Sequence, residues 1–136
     1  YVFDLDRMIA FEGDTGPYIQ YAHARISSIL AKSGVPIATI AAAPFRVAEP
    51  AERQLALTLL RYGTTVRDVA DALEPNRLCS YLQTLANAFN AFYQACPVLK
   101  AEDAAVRLSR LRLCHLVRRT LADGLDLLGL VAPERM

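Results

Sequence analysis

The sequence predicts an all-α helical bundle of about five or six helices, and three observations lead to that fold class. Hydrophobic residues make up 54% of the 136-residue chain and charged residues 21%, which is too apolar for a disordered chain. Alanine and leucine are abundant, and both favour helix over sheet. Apolar residues also recur at helical spacing along most of the chain. Since this length suits one hydrophobic core, residues 1–136 are predicted to form a single helical domain.

Two helices are predicted before residue 34. Residues 1–11 carry apolar side chains at helical spacing, and Gly13 ends that segment. A longer helix is predicted over residues 17–33, because the proline at its start suits a first turn, where a missing N–H costs nothing. Asp14 or Thr15 supplies the oxygen that caps this helix.

A connecting loop is predicted over residues 35–50. Gly34 stands just before it, at the position where a helix commonly ends in a left-handed conformation. The loop contains three prolines and shows no sustained amphipathic period. Only residues 38–43 are expected to form a short turn.

Two shorter helices are predicted next. The first spans residues 51–62, and Gly63 marks its end. Thr65, followed three residues later by Asp68, is typical of a capping box, and it predicts a second helix through residue 73. The Glu-Pro pair that follows is expected to break the chain.

The two longest helices are predicted in the second half of the chain. Residues 75–95 give the cleanest amphipathic pattern. Its apolar stripe consists of Leu78, Tyr81, Leu82, Leu85, Phe89 and Phe92. The last helix is predicted from about residue 101 to residue 128, with acidic residues at its positive end and Gly129 after its last turn.

One face of the helix at residues 17–33 carries polar aromatic and cationic side chains. At about 100° per residue, Tyr18, Tyr21 and Arg25 gather on this face. The aliphatic residues gather on another face, suited to the core: Ile19, Ile26 and Leu30. Rings and guanidinium groups stack on unpaired RNA bases, but tyrosines near a helix start also commonly pack against a neighbouring helix. The residues alone leave both interpretations open.

Charge and cysteine usage exclude several function classes. The formal net charge is only +1, so nucleic-acid binding would depend on locally placed charge and rings. The three cysteines are scattered and match no zinc-ligand spacing, which predicts reduced thiols and no metal site. Without an apolar run of about 18 residues or a signal pattern, the protein is predicted to be cytoplasmic, with no membrane partner. The missing initial methionine suggests a chain cut at its start.

Several blocks of the sequence resemble the carboxyl-terminal anticodon-binding domain, of DALR type, of arginyl-tRNA synthetases. The resemblance extends over essentially the whole chain, and its blocks occur in the family's order: residues 1–6 (YVFDLD), 13–25 (GDTGPYIQYAHAR), 78–93 (LCSYLQTLANAFNAFY) and 127–136 (LLGLVAPERM). The Asp-Ala-Leu-Arg signature itself is only approximated, by residues 103–108 (DAAVRL).

The resemblance implies a helical bundle that receives the tRNA anticodon stem and loop. Matched residue by residue, it implies anticodon contacts at Tyr18, Tyr21, Arg25, Tyr93 and Met136. The partners are then an arginine tRNA and the catalytic domain of the same chain, with no DNA partner. All arginine codons share a middle guanine, so the middle anticodon cytosine is the base expected to be read.

The last predicted helix carries an arginine run with no acidic residue between its members. Arg107, Arg110 and Arg118 are roughly aligned, whereas Arg112 and Arg119 point elsewhere. The aligned three are candidate phosphate contacts. A solvated helix face, or pairing with acidic neighbours, is the alternative for each of them.

No catalytic residue is predicted in this chain. Cys114 and His115 are adjacent, but neighbours in a helix point about 100° apart and cannot easily form a nucleophile and base pair. Phosphate-cradling glycine loops are missing. The resemblance implies that ATP, with magnesium, binds a catalytic domain absent from this chain, so no cofactor is expected here. The alternatives are a helical protein–protein interaction module without RNA binding and a small thiol or histidine enzyme.

Overall fold

The computed structural model describes residues 15–136, and this part of the chain is an assembly of six α-helices without a β-strand. The helices are α1 (Gly16–Lys32), α2 (Ile37–Ala42), α3 (Pro50–Leu60), α4 (Tyr62–Ala72), α5 (Asn76–Ala95) and α6 (Ala104–Leu127). The predicted all-α bundle is therefore confirmed. The helix predicted at residues 1–11 and its end at Gly13 lie outside the described residues.

Helix α5 lies at the centre of the bundle, where it packs against α1, α3, α4 and α6. Its apolar stripe is buried as predicted, and four of its side chains have no exposed surface: Leu82, Leu85, Phe89 and Phe92. The predicted aliphatic face of α1 is buried too, with Ile26 fully inaccessible. Leu55 of α3 joins the same core. The 3.6-residue period thus identifies the core faces correctly.

The ends of the long helices follow local sequence signals. Thr15 caps α1 by accepting a hydrogen bond from the Tyr18 N–H at 3.3 Å. After α6, Gly129 takes a left-handed φ of +73°, and its N–H bonds to the Asp126 carbonyl at 2.9 Å. The Leu130 N–H bonds to the Leu125 carbonyl at 2.9 Å, which completes a Schellman motif. This motif turns the following residues back along the bundle.

The boundary predicted between the two shorter helices is wrong. Gly63 lies inside α4 instead of ending α3, because the chain is interrupted only at Arg61, whose φ of −77° and ψ of −12° remain in the helical region. Thr65 is also interior to α4. Its hydroxyl donates to the Arg61 carbonyl at 2.9 Å, so it forms a bond within the helix and does not cap one.

The loop between α2 and α3 is held by polar contacts to α6. Ser109 of α6 is fully buried, and its hydroxyl accepts from the Arg46 N–H at 2.7 Å and donates to the Arg46 carbonyl at 3.0 Å. The Arg112 guanidinium donates to the Ala43 carbonyl and lies 4.1 Å from the centre of the Phe45 ring. These contacts fix a proline-containing loop that has few apolar anchors of its own.

Gly124 marks the closest approach of α6 to α5. A Cβ at this position would lie 2.5 Å from Leu82 Cδ2 and 3.0 Å from Leu82 Cδ1, and Leu82 is fully buried. We expect Gly124→Ala to destabilise the fold, because overpacking costs about 1–3 kcal/mol and the gain in helix propensity offsets at most about 1 kcal/mol.

Gly63→Ala is the matched control. Gly63 also lies in a helix, but a Cβ there meets no atom within 4 Å. Urea unfolding of both variants should show opposite signs, a loss for Gly124→Ala and a gain of about 0.5–1 kcal/mol for Gly63→Ala. Equal stabilisation by both substitutions would contradict the close approach of α5 and α6.

Candidate nucleic-acid interface

A groove of about 850 Å³ lies between α1 and the chain that follows α6, residues 130–136, here called the tail. Its α1 wall carries Tyr21, Arg25 and Lys32. Its opposite wall carries the last three residues of the tail: Glu134, Arg135 and Met136. Of the five residues for which anticodon contacts were predicted, this groove brings together Tyr21, Arg25 and Met136.

The helical geometry of α1 determines which of its side chains reach the groove. Tyr21 and Arg25 are four residues apart and therefore lie on the same side of the helix, with Ile26 turned into the core. Tyr21 is 48% exposed, which is high for a large aromatic residue. Met136 is 57% exposed on the other wall. The groove thus offers an aromatic ring, a guanidinium and a thioether to a ligand.

Arg25 connects the groove to α5. Its guanidinium carbon lies 5.0 Å from the centre of the Tyr93 ring, and Nη1 donates to Asn90 Oδ1 at 3.3 Å. The Tyr93 ring in turn stacks on the buried Phe89 ring, with 5.8 Å between centres and 28° between planes. A cation over an aromatic face is attracted by the ring quadrupole. Tyr93, another predicted site residue, therefore packs against the Arg25 guanidinium and stabilises its position.

Tyr18 occupies a different environment from Tyr21. Its hydroxyl donates to Asn87 Oδ1 at 3.0 Å and accepts from Asn90 Nδ2 at 2.7 Å, and its ring is half-buried against the core. Since Asn90 also accepts from Arg25, the Tyr18, Asn87, Asn90 and Arg25 side chains form one hydrogen-bonded chain between α1 and α5. Tyr18 does not line the groove.

Asn87 and Asn90 were not predicted as site residues. The sequence carried a signal for Asn90 alone, which precedes Tyr93 by three positions and so lies on the Tyr93 side of α5. Their partners on α1, however, are 65 to 72 residues away in the sequence. Lys32 and Arg135, the other cations at the groove, were also missed.

The three arginines predicted to contact phosphate all have partners inside the protein. Arg110 donates from Nε to Glu52 at 2.6 Å and from Nη1 to the Pro97 carbonyl at 2.8 Å, and its side chain is only 11% exposed. Arg107 donates to the Ala101 carbonyl at 3.3 Å. Arg118 pairs with Glu134. None of the three lines the groove.

The adjacent Cys114 and His115 do not form an activated nucleophile and base. Burial raises the pKa of the Cys114 thiol to about 12, so the reactive thiolate is not populated near neutral pH. Burial, helped by Arg118 and Arg119, lowers the pKa of His115.

Among residues 15–136, no three His, Cys, Asp or Glu side chains are grouped to hold a metal ion. The helices between residues 15 and 136 include none with the length and hydropathy that a membrane span requires.

The groove can instead bind flat and anionic groups. An exposed ring stacks on an unpaired base, and a guanidinium bonds to base edges or phosphates. The charged side chains that line the groove are three cations, Arg25, Lys32 and Arg135, and one acidic residue, Glu134. A nearly neutral protein therefore carries a locally cationic and aromatic surface, which is the kind of surface that single-stranded nucleic acid needs.

The chain is similar to known proteins along its whole length. A family model described as the DALR anticodon binding domain matches residues 19–136. The arginine–tRNA ligases of Thermobifida fusca and Frankia casuarinae are 59% and 58% identical to this chain over 136 residues, which is all of this chain and 23% of each relative.

Solved structures agree with the sequence relatives. The arginyl-tRNA synthetase of Thermus thermophilus superposes with a TM-score of 0.83 at 47% identity, over 93% of this chain and 22% of that chain. The arginyl-tRNA synthetase of Plasmodium falciparum superposes with a TM-score of 0.86 at 28% identity, over all of this chain and 24% of that chain. This chain therefore spans only a part of these longer proteins.

Proposed function

The chain belongs to the DALR anticodon binding domain family, and from that premise we propose that it binds the anticodon stem and loop of an arginine tRNA as one domain of an arginyl-tRNA synthetase. The observation that carries this proposal is the groove, where Tyr21, Arg25 and Met136 meet although more than one hundred positions separate the last from the first two. The names of the sequence relatives and of the solved structures support the choice of tRNA.

The chemistry of the groove favours a base that has left its stack. Sequence-specific RNA recognition usually targets loops, because their bases can be splayed out, stacked on aromatic rings and bonded along their edges. In this proposal Tyr21 supplies the stacking surface, and Arg25, held by Tyr93 and Asn90, supplies donors to a base edge or a phosphate. Lys32 and Arg135 attract the neighbouring phosphates.

The base assigned to the groove is the middle anticodon cytosine. It is common to arginine tRNAs, because all arginine codons have guanine at their middle position. In this groove the exposed ring can contact the face of the cytosine while the guanidinium contacts its edge.

The synthetase that would contain this domain joins arginine to its tRNA with ATP. In the proposal, ATP and magnesium belong to a catalytic part of that longer cytoplasmic enzyme, and the six helices only hold the anticodon. The sequence has no glycine-rich loop that could cradle phosphates, in keeping with this division.

Binding of an RNA hairpin tests the proposal directly. The hairpin corresponds to the anticodon stem and loop of an arginine tRNA, and its control carries uracil in place of the middle cytosine. We expect the control to bind about tenfold more weakly, because a contact to a base edge contributes about 1–3 kcal/mol of discrimination against the wrong base. Both affinities should fall as salt rises, since cations at the groove displace counterions from phosphates.

Two outcomes would overturn the proposal. If the folded chain binds neither hairpin at low salt, it does not bind RNA on its own. If both hairpins bind equally at every salt concentration, the groove does not read the middle base. Titrations followed by fluorescence anisotropy distinguish these cases.

A further inference from the structure

The tail is fixed to the bundle from both sides. On the α1 side, Gln20 Nε2 donates to the Val131 carbonyl at 2.8 Å. His23 is buried, and its Nδ1 lies 2.9 Å from the Pro133 carbonyl, so Nδ1 must carry the proton because a carbonyl oxygen only accepts. These two bonds hold the tail backbone just before the residues that line the groove.

On the α6 side, the tail is held through an ion pair. Arg118 Nη1 lies 3.1 Å and 3.3 Å from the two carboxylate oxygens of Glu134. The Arg118 side chain is 27% exposed and the Glu134 side chain 67% exposed. The Arg118 Nε atom is buried and has no hydrogen-bond partner within residues 15–136. The guanidinium is therefore partly buried, and the hydrogen bonds that it makes to Glu134 come from Nη1.

We propose that Arg118 is a positioning residue for the groove: it holds Glu134, and through it the tail, so that Met136 stays opposite Tyr21. Glu134 links the two sides, because it pairs with Arg118 and also lines the groove. Arg118 itself does not line the groove. The consequence for RNA binding rests on the proposed function, whereas the consequence for the tail does not.

Backbone relaxation without RNA tests the positioning role. Arg118→Gln and Glu134→Gln should each lower the heteronuclear NOE of the Arg135 and Met136 amides, because either change removes the same ion pair. Arg119→Gln is the matched control. It removes the same charge from the neighbouring position, where the exposed side chain has no ion pair within the described residues. If Arg118→Gln leaves the tail amides as ordered as Arg119→Gln does, the proposal is wrong.

Hairpin binding then separates positioning from phosphate contact. A direct phosphate contact predicts that Arg118→Gln lowers the salt slope by about 1, and that Glu134→Gln leaves binding unchanged or improves it by removing a repulsive charge. Positioning predicts that both variants bind about two- to fivefold more weakly with the wild-type salt slope, as expected for loss of an exposed ion pair. The double variant should be no weaker than either single variant.

A charge-swapped variant, in which the two residues of the ion pair exchange their charges, completes the test. Arg118→Glu combined with Glu134→Arg should recover most of the lost tail order and affinity. Improved binding by Glu134→Gln, or a reduced salt slope in Arg118→Gln, would overturn the inference. If the wild-type chain binds no hairpin, the proposed function fails, and the relaxation experiment still decides whether Arg118 positions the tail.

Discussion

Glu52→Ala should lower the free energy of unfolding by about 3–5 kcal/mol, because it leaves the Arg110 guanidinium charged and uncompensated in the protein interior. Glu52 is almost completely buried, and its Oε1 accepts from Arg110 Nε at 2.6 Å. Its other oxygen accepts from the backbone N–H groups of Ala48 and Glu49 at 2.8 and 3.0 Å. Alanine would therefore also remove two bonds at the start of α3.

The effect should depend on pH in a defined direction. Burial raises the pKa of Glu52, but the backbone N–H groups of Glu49 and Ala48, together with Arg110, outweigh it and hold the pKa below its usual value. A carboxyl whose pKa is lower in the folded state contributes its stability above the unfolded pKa of about 4.3 and loses it as the pH falls through the folded value. The difference between wild type and Glu52→Ala should thus shrink in acid.

Urea unfolding at neutral and acidic pH measures this prediction, with Glu74→Ala as the matched control. Glu74 also pairs with an arginine, Arg77, but both side chains are about half exposed, and such a pair contributes roughly 0–1 kcal/mol. Equal losses in the two variants would mean that the Glu52 pair is not a buried one. A loss for Glu52→Ala that grows in acid would contradict the lowered pKa.

Much of the fold could be predicted because its signals are local. The two ends of α1 are each marked by nearby residues: proline at residue 17 and a capping oxygen at its start, and Gly34 after its end. The predicted range 17–33 therefore differs by only one residue at each end from the observed Gly16–Lys32. The core stripe of α5 follows from spacing alone. Gly63 shows where a local signal fails, since glycine permits a helix end but does not require one.

The site could be predicted only in part, because its geometry depends on distant pairs. Arg110 lies on the same stripe as Arg118, yet its carboxylate partner is 58 residues away and lies in the interior. The sequence identifies Tyr18 and Tyr21 as sharing a face, but only packing against Asn87 and Asn90 shows that one ring is tied down and the other is exposed. Helical spacing predicts the direction in which a side chain points, but it does not predict whether that side chain is buried.

Because the two tyrosines differ in this way, we expect substitution of Tyr21 to affect mainly RNA binding and substitution of Tyr18 to affect mainly stability. Tyr21→Ala should weaken binding of the arginine anticodon hairpin by about 1–3 kcal/mol, the effect of losing one base stack, with little change in melting temperature. Tyr21 makes no hydrogen bond within residues 15–136 through its side chain, and nearly half of its surface already faces solvent.

Tyr18→Phe is the complementary variant. It keeps the ring but removes the hydroxyl that joins Asn87 to Asn90. We expect a stability loss of about 0.5–1.5 kcal/mol for each hydrogen bond no longer made. Binding should weaken less than in Tyr21→Ala, because Tyr18 acts on the groove only through the Asn90 contact to Arg25. Thermal melts and hairpin titrations on both variants measure the two quantities separately.

The comparison of the two hairpins makes the prediction specific to the middle base. Wild-type chain should prefer cytosine over uracil at that position, and Tyr18→Phe should retain most of the preference. Tyr21→Ala should weaken both complexes through the lost stack, whereas Arg25→Ala should reduce the preference itself, because edge contacts distinguish bases and stacking largely does not. If Tyr21→Ala binds both hairpins as tightly as wild type does, its exposed ring does not face RNA. The groove would then be better explained as a contact surface for another protein, where exposed Tyr and Arg side chains are also concentrated.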